Sequence, residues 1–307
     1  MAGFQPISAP PSAPPRQGLL AVVGGEAAEL VLPAGWENGI AFEPERCGPP
    51  VDAAWGDCPE DGGVDPRTDP GTKDIGVGGA VVQYRPWMAW VGDACSVLGR
   101  AGRDPVARAR RLYAASESRI IEQELWSGTE AQLRAYPNNY LRNAASPNFV
   151  NLSPAVGETS PGAYALGELQ AAIAAGQTGR GMIHATWPVV NLWFFLGALR
   201  REGALILDVF DNLVVAGTGY DGSAPAGSAV ASDSTGATSW AYATGIVQTK
   251  RHSDLRVVPD NLNEAIRIDT NDEEWRVERL VAAWWDGCVH AAINVNLCCV
   301  SCSAAAS

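Results

Sequence analysis

Side chains able to carry acid–base or covalent chemistry are few in this chain. Its three histidines are His184, His252 and His290, and none belongs to a His-Glu-x-x-His helix that would hold zinc. No Gly-x-Ser-x-Gly turn is present to expose a serine nucleophile. His184, between an apolar approach and a helix start, reads as a packed or capping residue. The acidic run Asp269, Asp272, Glu273 and Glu274 reads as a solvated turn, since nothing pairs an acid with a base there. Gly217-Thr218-Gly219-Tyr220-Asp221-Gly222 has dinucleotide-loop spacing, but that chemistry needs a helix to begin at once and hold the pyrophosphate on its first amides. Ser223, Pro225 and Gly227 follow instead, which predicts an exposed loop running on to Ser239. Neither lysine, Lys73 or Lys250, sits in a phosphate-binding Gly-x-x-x-x-Gly-Lys sequence. No cofactor is expected.

Seven cysteines occur, at 47, 58, 95, 288, 298, 299 and 302. An odd count without a leader-like N-terminus argues against a secreted disulfide scaffold and predicts reduced thiols. Cys299 and Cys302 form one Cys-x-x-Cys, with Cys288 and His290 nearby, whereas a zinc site normally needs two such ligand pairs. No metal is expected. Asn151-Leu152-Ser153 is a glycosylation sequon of no consequence without secretion.

The whole chain bounds the remaining choices. It has 307 residues, 47% hydrophobic and 18% charged, enough to bury a core and too apolar for a disordered segment. The net charge of −12 opposes a protein that wraps nucleic acid, which needs clustered cations. The longest apolar stretch, residues 187–199, is short of a membrane span and is broken by Pro188 and Asn191. A soluble protein made in the cytoplasm is the expectation. Nearly all its cations are arginine, and it carries 11 tryptophans. Both features suit subunit contacts, although a GC-rich genome and a well-filled core explain them equally.

Residues 1–18 are Pro-rich and predict an extended arm, and residues 36–72 form a long Gly/Pro/Asp-rich segment without periodicity. Residues 75–91 turn strand-like, interrupted by Gly78-Gly79 and Pro86, which predicts a bent hairpin. Asp104 as N-cap, Pro105 in the first turn, an apolar stripe through Ala109, Tyr113, Ile121 and Leu125, and Gly128 as terminator predict a helix over 105–126. At helical rise it is ~33 Å long. Further helices are predicted over 162–175 and 187–201. Strands are predicted over 204–207, 213–216, 241–249, 255–258, 265–268, 275–285 and 289–297. Helices and strands mix without a βαβ rhythm, so the fold class is α+β.

These pieces, in this order, resemble the major capsid proteins of tailed bacteriophages, whose shell fold is named for a Hong Kong phage and is shared with encapsulins. Local sequences carry the resemblance: Trp36-Glu37-Asn38-Gly39, Phe42-Glu43-Pro44-Glu45-Arg46-Cys47, Asp93-Ala94-Cys95-Ser96 and Glu122-Gln123-Glu124-Leu125-Trp126-Ser127-Gly128. Tyr242-Ala243-Thr244-Gly245, Asp269-Thr270-Asn271 and Trp285-Asp286-Gly287-Cys288 continue it towards the C-terminus. The large N-terminal scaffolding segment of better-known relatives is missing.

The resemblance implies an N-terminal arm and irregular segment over 1–70, an extended hairpin loop over 71–92, and a peripheral domain with its spine helix over 93–150. An axial domain over 151–255, peripheral return strands over 256–297 and a flexible tail over 298–307 complete it. It implies a non-enzymatic protein that assembles as hexamers and pentamers into an icosahedral head. The head would enclose double-stranded DNA without reading its sequence, in the virion, with scaffolding, portal and decoration proteins as possible partners. A minor head or decoration protein and an encapsulin-like shell are the nearer alternatives, and a cytoplasmic enzyme the distant one. Some relatives lock their shells by isopeptide bonds, which here would join Lys73 to Asn294 or Asn296 of a neighbour.

Overall fold

The computed structural model describes residues 18–26, 34–42, 47, 82–96, 104–146, 148–153, 159–176, 179–228, 237–267 and 272–297. The chain enters through α1 (Leu19–Glu26), a 3-10 turn at Trp36–Asn38, β1 (Ile40–Phe42), β2 (Val82–Tyr84) and β3 (Trp87–Ser96). The long helix α2 (Pro105–Ser127), α3 (Thr129–Leu133), β4 (Phe149–Asn151), β5 (Ser160–Pro161) and α4 (Gly162–Gly176) follow. Next come β6 (Met182–Ala185), α5 (Trp187–Phe195), β7 (Leu199–Glu202), β8 (Leu205–Asp208), β9 (Leu213–Ala216) and β10 (Thr238–Thr244). The chain closes with β11 (Gln248–Arg251), β12 (Arg256–Val258), α6 (Leu262–Ala265), β13 (Ile266–Arg267), β14 (Asp272–Trp284) and β15 (His290–Asn296).

Two sheets carry the architecture. In the larger, mixed one the order is β4-β15-β10-β6-β9-β8-β7, with β5 also on β15. In the smaller one the long strand β14 is central: β3 runs antiparallel along one side from Trp87 opposite Val281 to Ser96 opposite Asp272. β11, β12 and β13 follow one another along the other side. A separate two-stranded ribbon pairs β1 with β2.

The larger sheet is buried on both faces, which its period-2 side-chain alternation divides. Met182, Val215, Trp240, Tyr242 and Ala292 join the core shared with α1 and α2, while Ile183, Val214, Ala241, Ile293 and Val295 pack with α4 and α5. This explains the unbroken apolar runs, since a strand covered on both faces has no polar side. Helix α2 lies across β3 and β14. It starts where Asp104 accepts from the Ala107 amide at 2.9 Å, and stops at Gly128, whose φ of 61° admits the left-handed turn.

Several expectations need correction. The helix expected over 187–201 ends at Phe195. Gly197, at φ 70°, donates to the Phe194 carbonyl and Ala198 to that of Trp193, a Schellman closure that releases the chain into β7. β2 and β3 do not form a hairpin with each other, because the bend at Arg85-Pro86 sends β2 to β1 and β3 to β14. The remainder of that expected hairpin, residues 75–81, lies outside the described residues. Residues 1–17 of the expected extended arm lie outside the described residues; the helix that follows, α1, was not expected, and its Leu19, Val22 and Val23 are buried in the main core. Strand β15, expected among the peripheral return strands, pairs with β10, whereas β11 lies with β14 in the smaller sheet.

Candidate functional site

The spine α2 carries three buried carboxylates, each fastened to a different part of the chain. Glu117 accepts from Arg279 (2.8 Å) on β14, Arg251 (3.0 Å) on β11 and the Tyr113 hydroxyl (3.2 Å). Among the described residues no cation pairs with Glu122. It accepts from the Leu19 amide of α1 (2.8 Å), the Ser118 hydroxyl (3.1 Å), the Thr218 hydroxyl (3.1 Å) and the Gly219 amide (3.0 Å). Glu124 takes the Glu130 and Ala131 amides, both at 2.9 Å, and so caps α3. Burial pushes the Glu122 and Glu124 carboxyls above their ordinary range, and the hydrogen bonds pull part of the way back. The sequence signal for Glu117 is its phase, since it lies four residues from both Tyr113 and Ile121 on the apolar stripe.

The loop after β9 reaches the spine through this arrangement. Tyr220 and Ala224 are buried, and a Cβ at Gly219 would run into the backbone of Arg119 and Gln123. Trp126 packs tilted against Tyr220 and edge-on against Tyr242, both 4.8 Å away between ring centroids, and donates to the Ser223 hydroxyl at 3.0 Å. The expectation of an exposed loop is therefore corrected for residues 217–225, while Ala226 and Gly227 are exposed; small residues such as Gly219 are there to let backbone approach backbone. Residues 229–236 of that loop lie outside the described residues.

His184 is fully buried on β6, between the Tyr220 hydroxyl at 2.8 Å and the Thr244 hydroxyl at 3.0 Å. Thr244 Oγ1 also donates to the Gly245 carbonyl at 2.7 Å, so it accepts from His184 Nε2–H, and Nδ1 accepts from Tyr220. Every proton in this chain is committed to a neutral imidazole. Burial lowers the His184 pKa to about 3, and lowers that of His290 to about 4, while His290 Nε2–H donates to the Leu141 carbonyl at 2.8 Å. His184 is the packed residue the sequence implies. The acidic turn is not wholly solvated: Glu273 is fully buried in β14 and accepts from the Trp275 indole at 2.5 Å. Among the described residues no cluster of three or more His, Cys, Asp or Glu side chains is placed to hold a metal ion. No described helix is long and apolar enough to cross a membrane.

Cys47 and Cys288 are joined by a disulfide, which corrects the expectation of reduced thiols throughout. Their separation of 241 residues left no local trace in the sequence. Of the residues considered for a crosslink, Lys73 lies outside the described residues. Asn294, on β15 opposite Trp240, is only 2% exposed, and its backbone N–H donates to the Ser153 hydroxyl at 3.0 Å. Asn296 is half-buried at the end of the same strand.

One end of the larger sheet leaves large apolar side chains in solvent: Phe195 (85% exposed) and Leu196 where α5 ends, and Val209 (60%) and Phe210 (69%) in the β8–β9 turn. The two places adjoin, because Leu199, three residues beyond Leu196, pairs with Asp208. Arg200 holds the turn through the Asp208 carbonyl and the Asp211 carboxylate. The edge strand β7 presents Arg200, Arg201 and Glu202 beside them.

No protein family's sequence profile matches this chain, and no curated protein does. Solved structures do. The capsid subunit of a native GTA particle superposes over 96% of this chain and 94% of its own, with a TM-score of 0.52 at 9% identity. A chain of Microbacterium phage Oxtober96 superposes over 96% of this chain and 95% of its own, with a TM-score of 0.50 at 13% identity. The encapsulin of Synechococcus elongatus PCC 7942 aligns over 71% and 76%, with a TM-score of 0.45 at 10% identity. This chain thus has an α+β fold of the capsid type named for a Hong Kong phage.

Proposed function

We propose that this chain is a major capsid protein, copies of which assemble as hexamers and pentamers into an icosahedral head around double-stranded phage DNA. The observation that carries the reading is the superposition of nearly the whole chain on the capsid subunit of native and empty GTA particles, itself covered almost end to end. Further support comes from the apolar cluster of Phe195, Leu196, Val209 and Phe210, a surface suited to a second copy. The acidic balance suits an inner wall that must not trap packaged DNA. On this reading the spine and the smaller sheet form the peripheral domain, and the larger sheet with α4 and α5 forms the axial one. Scaffolding, portal and decoration proteins are partners by the same reading, and the chain has no enzymatic role.

The test is electron microscopy of the protein expressed alone and together with its neighbouring head genes. Closed shells, or free hexamers and pentamers, are the expected result. A species that stays monomeric in both expressions overturns the proposal.

A further inference from the structure

The Cys47–Cys288 bond joins a position shortly after β1 to the turn between β14 and β15. That turn is held without the bond: Tyr84 donates to the Trp285 carbonyl at 3.1 Å, Asn148 to the Gly287 carbonyl at 2.7 Å, and the Cys288 amide to Asp286 at 3.0 Å. Gly287, at φ 76°, completes the turn. Cys288 is therefore a fixed, half-buried partner, and Cys47 is the exposed one. Their Cα atoms are 5.0 Å apart, within the range a disulfide spans.

We propose that this pair is a redox lock on the subunit, open while the chain is made in a reducing cytoplasm and closed after the assembled particle leaves it. The timing rests on the capsid reading; the pairing does not. Closure needs an oxidant of the low-molecular-weight disulfide class, such as glutathione disulfide. The exposed Cys47 thiolate attacks one sulfur of that molecule, expelling a thiolate and leaving a mixed disulfide on Cys47. The Cys288 thiolate then attacks Cys47 Sγ and expels the second small thiolate. Two protein thiols become one disulfide, their two protons end on the two released thiols, and two electrons have passed to the small disulfide. The bond closes a loop through most of the chain, the arrangement in which a crosslink restricts the unfolded state most.

The full-length protein is trapped with N-ethylmaleimide at lysis, and separately purified and equilibrated with reduced or oxidised glutathione. Free thiols are counted after denaturation, and the bonded peptides are mapped by mass spectrometry. The lock predicts seven alkylated cysteines at lysis, and five free thiols after oxidised glutathione with a Cys47–Cys288 peptide pair. It also predicts a melting temperature about 5 °C higher in the oxidised form, a gain absent from Cys47→Ser in either buffer. Seven thiols remaining in oxidised glutathione, a bond between other cysteines, or equal melting of the two forms overturns the lock. So does a bond already present in the trapped lysate. The readouts are independent of assembly: shells with seven free thiols refute the lock and leave the capsid reading standing, and a closed bond in a protein that never assembles does the reverse for the capsid reading.

Discussion

His184 offers a sharp test of the packing logic, because its burial is electrostatically one-sided. It is held neutral between Tyr220 and Thr244 with a pKa lowered to about 3, whereas in an unfolded chain an imidazole titrates near ~6.5. A folded-state pKa below the unfolded one contributes stability that is present above ~6.5 and is lost as pH falls toward the folded value. Between about pH 7.5 and pH 5 the unfolded chain takes up the proton and the folded one does not, so the native state loses about 2 kcal/mol through this residue. Glu122 and Glu124 act in the opposite sense. Their raised pKa values contribute stability present below the ordinary carboxylate range and lost as pH rises, which offsets part of the histidine loss on acidification. The decisive quantity is thus the difference between wild type and His184→Gln, followed by urea unfolding at both pH values. The substitution is expected to cost about 1–3 kcal/mol at pH 7.5, from imperfect bonding to Tyr220 and Thr244. The gap should narrow by about 2 kcal/mol at pH 5. A gap that does not change with pH refutes the buried neutral imidazole.

Glu122→Gln puts an N–H among four donors and is expected to cost about 1–3 kcal/mol, with faster amide hydrogen exchange along α1; unchanged exchange at Leu19 to Val23 refutes Glu122 as its anchor. Gly219→Ala drives a methyl group into the Arg119 and Gln123 backbone and is expected to lower stability by about 1–3 kcal/mol, read as a fall in the urea midpoint; a neutral result refutes the close approach of loop and spine. Phe195→Asp with Phe210→Asp is expected to leave subunit stability within about 0.5 kcal/mol and to abolish shells in the electron microscope, whereas normal shells refute the apolar cluster as a contact between copies.

The spine was legible because its signals are local. Asp104, Pro105, the stripe through Tyr113, Ile121 and Leu125, and Gly128 each act within one or two turns. Strand 213–216 was legible for the same reason, as a short apolar run between turn residues. The end of α5 was not, because apolar residues continue past Gly197 and only the glycine's left-handed conformation stops the helix. The loop at 217–225 misled because small residues mark two opposite situations, a backbone free in solvent and a backbone pressed against a helix. The choice between them depends on Glu122, nearly a hundred residues upstream. Cys47–Cys288 and the arm's helix depend likewise on contacts made far along the chain. Among the candidate site residues, His184 was placed correctly by its apolar surroundings, whereas nothing in the sequence separates buried Asn294 from half-buried Asn296.

The distribution of strong and weak contacts fits the proposed assembly. The spine's buried carboxylates tie the arm's helix, the smaller sheet and the loop after β9 to one rod, so displacing any of them strands a desolvated acid. Those attachments favour a subunit that keeps its shape when it meets another. The apolar cluster at one end of the larger sheet is modest by comparison. Phe195, Leu196, Val209 and Phe210, each contributing ~1.5–3 kcal/mol if fully buried, add up to about 6–12 kcal/mol, which the loss of rigid-body freedom, about 4–15 kcal/mol, largely cancels. One such contact is weak, and a misplaced subunit held by it can leave again. A closed shell, where every subunit makes such contacts with its neighbours, is held by their sum. A rigid subunit with weak, repeated contacts therefore corrects its errors during growth, and a covalent lock within each subunit is best closed after that correction is complete.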